Sequence, residues 1–111
     1  MPTDRYVSPD ALFTLVVDLA DGVIGFEGYR WCTQADHLAS YRIDPPIATV
    51  TQLLEALVDH RLVMVISRFD DTGDAIRDVW ITHDPLAEKL CSDDGESLEF
   101  RFWDGAACAV A

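Results

Sequence analysis

Thr49 to His83, TVTQLLEALVDHRLVMVISRFDDTGDAIRDVWITH, carries the reading of the fold. Its first third, TVTQLLEALVDH at 49–60, is spaced as an amphipathic helix. Val50, Leu53, Leu54, Leu57 and Val58 form one apolar stripe, and Thr51, Gln52, Glu55, Asp59 and His60 form the polar face. Thr49 followed by Gln52 is a capping-box pattern, in which each side chain satisfies a backbone amide that the first turn leaves open. One residue, Arg61, then separates the helix from LVMVISRF at 62–69, a strand-like run that is apolar on both faces in its inner half. DDTGD at 70–74 is turn chemistry around Gly73, and AIRDVWITH at 75–83 returns as the second strand of a hairpin.

Upstream, Ser8 and Pro9 suit an N-cap and a first helical position. Leu12, Leu15, Val16 and Leu19 follow at helical spacing, and Asp21-Gly22 suits a helix end, so a helix is expected from Ser8 to Asp21. Val23–Trp31 alternates roughly and is weakened as a strand by Gly25 and Gly28. TQADHLAS at 33–40 reads as a short helix, stopped by Asp44-Pro45-Pro46. Asp84-Pro85 opens another short helix, and SLEFRFW at 97–103 alternates as a strand. The apolar tail AACAVA closes the chain.

A helix handing over to a hairpin, preceded by two further helices, resembles the winged helix-turn-helix superfamily of DNA-binding domains. VTQLLEALVDHRLVMVISR…DVWITH is the part most like bacterial regulators and phage replication-organiser domains. The resemblance implies an α+β fold, with a three-helix cluster plus a hairpin wing over residues 8–83. The length of 111 residues points to one domain spanning 1–111, in which 84–111 is a C-terminal helix-strand extension. The resemblance also implies that 49–60 is the recognition helix. Thr49, Thr51 and Gln52 then become candidate DNA contacts at its leading end, with Arg61, Arg68 and Arg77 beside the wing.

Charge points the other way. The chain has 111 residues and a formal net charge of −12, with one lysine and seven arginines. The excess is spread, at −3 over residues 1–32, −4 over 33–83 and −5 over 84–111. Phosphate contacts by Lys and Arg supply most non-specific affinity for DNA, and an acidic surface repels that polyanion. Glu55 and Asp59 make the presumed reading helix acidic, and Asp70, Asp71 and Asp74 do the same for the wing. Those five residues are candidates for docking on a basic protein instead, as a toxin immunity protein, phage inhibitor or DNA mimic does. Two functions are thus expected in competition: a small DNA-binding regulator or replication accessory, dimeric through 97–111, or an acidic protein-binding module. Retention of random duplex DNA at low salt separates them.

Catalysis has little support. Cys32 with His37 lacks an orienting partner, and Asp36, His37 and Ser40 share one short segment that cannot hold triad geometry. No cofactor or metal is expected. Asp70, Thr72 and Asp74 mimic the start of a calcium loop, but Ala75 and Ile81 stand where its Gly and Glu belong. His37, His60 and His83 are too far apart for a local zinc pattern. Cys32, Cys91 and Cys108 are an odd number at wide spacing and read as free, buried thiols in a reducing cytoplasm. No apolar run is long enough to span a membrane, and MPTDRYVSPD is not patterned as a signal peptide.

Overall fold

The computed structural model describes residues 4–69, 75–91 and 96–110. Two antiparallel sheets dominate it. The strands β1 (Asp4–Val7), β2 (Thr14–Asp18), β3 (Val23–Phe26) and β4 (Cys32–Gln34) form a meander in the order β1-β2-β3-β4. A 3-10 helix, Ala35–Ser40, and the helix α1, Val50–Val58, follow. The strands β5 (Val63–Phe69), β6 (Ile76–Thr82) and β7 (Glu96–Arg101) form the second sheet in the order β6-β5-β7, with α2, Pro85–Leu90, between β6 and β7.

The winged helix-turn-helix is therefore overturned. A three-helix cluster does not form, because the expected helix at 8–21 is β2 with a loop on each side. Residues 12–19, LFTLVVDL, satisfy two periods at once. The helical stripe asks Leu12 and Leu19 to be core, yet they are 61% and 53% exposed. The alternating set Phe13, Leu15 and Val17 is buried instead. Thr14, Val16 and Val17 are β-branched and pack well on a pleated surface, and β1 and β3 supply the ladders on both sides.

The punctuating residues keep their local chemistry in a new setting. Gly22 does adopt a left-handed conformation, φ +66°, but in the β2–β3 turn rather than at a helix end. Ser8 caps no helix. Its hydroxyl donates to Asp10 at 2.6 Å and accepts from the Phe13 amide at 3.2 Å, holding the β1–β2 loop. Gly25 lies within β3 where a Cβ would stand 2.9 Å from the Trp31 carbonyl oxygen, so the strand needs glycine there. Residues 33–40 divide into the end of β4, which buries Thr33, and the 3-10 helix, which buries Leu38.

The middle of the chain folds as its pattern predicts. Thr49 is the N-cap of α1 and forms the complete capping box with Gln52. Val50, Leu53, Ala56 and Leu57 are buried. Strands β5 and β6 pair antiparallel from Val63–Thr82 to Arg68–Ile76, with a register shift at Ser67/Arg68. The hairpin is no wing, however. Strand β7 pairs along the other side of β5, from Met64–Arg101 to Phe69–Glu96, so β5 is the central strand of a sheet. That position explains why Val63, Met64, Val65, Ile66 and Ser67 are all buried.

One apolar cluster joins both sheets and α1. Leu15, Val17, Ile24 and Phe26 meet Met64, Ile66, Val79 and Ile81, with Leu53 and Leu57 packed among them. On the other face of the three-stranded sheet, Val63, Val65 and Phe100 pack with Trp80, Leu98, Phe102, Cys108 and Val110. Residues after β7 turn back onto it through Cys108 N–H donating to the Phe100 carbonyl at 2.9 Å. The three thiols are free, as expected, but not buried: Cys32 and Cys91 are exposed and Cys108 is half-buried.

Tyr41 ties the segment before α1 to β6, its hydroxyl donating to the Ile81 carbonyl at 2.8 Å. Burial, with Glu88 nearby, raises its phenol well above the ordinary value of 10.0. The folded state thus holds the Tyr41 proton more tightly than the unfolded chain. This contribution is complete below the ordinary value and is lost as pH rises above it. Tyr41→Phe is expected to cost about 1 kcal/mol at neutral pH, and to soften the alkaline loss of stability in denaturant titrations at rising pH.

Candidate docking groove

α1 ends in a way that fixes its surroundings. The Arg61 amide donates to the Ala56 carbonyl at 2.9 Å and the His60 amide to the Leu57 carbonyl at 3.3 Å, the paired bonds of a Schellman motif. His60 occupies its left-handed position with φ +63°, which most side chains avoid. Its ring stacks on Phe102 at 4.2 Å between centroids, and Nε2 lies 3.0 Å from Asp104 Oδ2. The Ala106 amide, then His60, holds the Asp104 carboxyl below the usual carboxylate range. The turn after β7 is thereby fastened to the end of α1, and Trp103, inside that turn, is buried.

Between β1–β2 and α1 this arrangement leaves an open groove of about 340 Å³. Tyr6 and Leu15 line it from the sheet, Leu54, Leu57 and Val58 from the helix, and Trp103 from the turn. Two helical positions in the expected core stripe serve the groove instead: Leu54 is half-buried and Val58 is 57% exposed. Glu55 on α1 and Asp59, the residue that caps its C-terminus one turn later, complete the lining with two carboxylates, both on exposed residues. An apolar floor beside same-sign charge is the composition of a docking site for an apolar side chain flanked by cations.

The candidate DNA contacts lie elsewhere and are largely occupied. Thr49 and Gln52 are engaged with each other's backbone in the capping box, and Thr51 is exposed beside them. Arg61 donates to the Pro45 carbonyl. Arg68 pairs with Glu99, and Arg77 pairs with Glu96 at 2.9 Å. Arg5 with Glu27, at 2.6 Å, and Arg101 with Glu99 add two more pairs. Five of the seven arginines thus bond to this chain's own oxygens, which leaves little positive charge for phosphate. With the helix-turn-helix gone as well, DNA binding has no support. Of the five acidic candidates, the groove brings Glu55 and Asp59 together, and Asp70, Asp71 and Asp74 lie outside the described residues.

The segment 97–111, expected to make a homodimer, contributes β7 and the returning tail within the chain itself. Among the described residues no group of three or more metal-binding side chains converges, and no helix is long and apolar enough to cross a membrane. Tyr6, Leu15 and Trp103 were not legible as site residues. Their joint signal is tertiary, since they come from the two ends of the chain. Comparison with protein-family models, with curated proteins and with solved structures finds no significant match to this chain.

Proposed function

We propose that this chain is a non-enzymatic protein-binding module of the cytoplasm, which docks a basic segment of a partner protein in the groove between β1 and α1. The observation that carries the reading is the apolar floor of Tyr6, Leu54, Val58 and Trp103 beside Glu55 and Asp59. The net charge of −12 adds long-range attraction for a cationic partner and speeds encounter with it. Occupying a partner's cationic surface, as a toxin immunity protein, phage inhibitor or DNA mimic does, is the kind of role this supports.

Selection from a displayed random-peptide library tests it without naming the partner in advance. The immobilised chain is expected to retain peptides that combine Lys or Arg with an apolar anchor. A variant carrying Glu55→Lys and Asp59→Lys is expected to lose them. Selected peptides with no basic bias, or equal retention by the variant, would end the proposal.

A further inference from the structure

Among the described residues β1 is the outer strand of its sheet, and all four of its residues are exposed. Its outward backbone can be assigned from the ladder. The Ser8 amide donates to the Phe13 carbonyl at 2.8 Å, so Ser8 and Phe13 form a bonded pair. Antiparallel pairs alternate between bonded and non-bonded. With Tyr6 opposite Leu15 and Val7 opposite Thr14, the bonded pairs within β1 are Tyr6–Leu15 and Asp4–Val17. The amides and carbonyls of Arg5 and Val7 therefore point away from β2, toward the open edge. A second observation agrees: Thr14, opposite Val7, gives its carbonyl to the Glu27 amide on the far side at 2.9 Å.

This edge adjoins the groove. Tyr6 projects on the same face as Leu15, its ladder partner, and both line the groove. A further strand beside β1 would place alternate side chains on that face, over the groove and against Leu54 and Val58 of α1. Natural edge strands are commonly blunted by charge or proline. β1 has Asp4 and Arg5, but Tyr6 and Val7 remain 41% and 59% exposed.

We infer that the basic segment docks as an extended strand, paired through the Arg5 and Val7 backbone as a fifth strand of the four-stranded sheet, with an apolar side chain in the groove and its cations beside Glu55 and Asp59. This rests on the docking reading above and adds the mode of binding. Main-chain bonds supply affinity, and the groove selects alternate side chains. Charge decides the occupant, because a second copy of this chain brings another −12 to a rim that is already acidic.

The probe is a short synthetic peptide, Val-Thr-Lys-Thr-Val-Thr-Lys, whose valines and lysines share one face of an extended strand, read by fluorescence anisotropy against the whole chain. Two versions carry N-methyl groups, one on the valine and lysine amides and one on the threonine amides, each blocking one edge of the peptide strand. One version is expected to bind about tenfold more weakly than the other, since only one edge faces β1. Val7→Pro removes an outward amide without touching the β1–β2 ladder, and is expected to weaken the unmodified peptide about tenfold while Val7→Ala does not. If Val7→Pro fails to fold, the methylated peptides decide alone. Equal binding by the two methylated peptides overturns strand pairing and leaves groove docking standing. No binding by the unmodified peptide overturns both. A dimer of the free chain that Val7→Pro abolishes gives the edge to a second copy and overturns the inference.

Discussion

Leu53→Ala is expected to lower stability by about 3–4 kcal/mol and the thermal midpoint by roughly 10–20 °C. Leu53 is fully buried on α1 where the helix meets both sheets in one cluster. Truncation removes its transfer free energy and leaves a cavity that strands on either side cannot close, because each is held by its own ladder. Val58, five residues further along α1, is the contrast. It lines the open groove, so Val58→Ala should change stability by less than about 0.5 kcal/mol. Thermal unfolding of the two variants side by side checks the placement of α1. A Leu53 variant as stable as its parent would contradict this core.

Reversing both groove carboxylates, Glu55→Lys with Asp59→Lys, is expected to weaken the lysine–valine peptide by roughly 10–100-fold at low salt. Both side chains are solvent-exposed, so the difference should narrow as salt rises and the Debye length falls to about 8 Å near physiological ionic strength. The folded state should be little affected, since neither carboxylate takes part in the N-terminal cap of α1, which Thr49 and Gln52 provide. Anisotropy titrations at two salt concentrations, with circular dichroism to confirm folding, make the measurement. Unchanged low-salt affinity for the double variant would place the binding surface elsewhere.

The two groove carboxylates were legible in the sequence as exposed acids on a helix, but what they border was not. Leu54 and Val58 belong to the same apolar stripe as Leu53 and Leu57, and helical spacing alone cannot say where the core ends and a groove begins. The arginines show the same limit from the other side. Arg68 and Arg77 stand in the sequence as free cations on a hairpin; in the fold β7 brings Glu99 and Glu96 to them. β7 itself was read correctly as a strand, while its pairing with β5 was missed, and that pairing turns the expected wing into a sheet.

Residue order dictated the local features. The capping box of α1, the β5–β6 hairpin, the Asp84-capped α2 and the alternation of β7 depend on residues a few positions apart, so composition and spacing suffice. Tertiary structure decided whether 12–19 is helix or strand, because that segment is amphipathic at either period and only the neighbouring strands β1 and β3 choose between them. It also decided the groove and its open edge, which exist because Trp103, near the end of the chain, is fastened beside α1 while β1, near its start, extends past the core. Contacts between residues that distant leave no periodic trace in either segment.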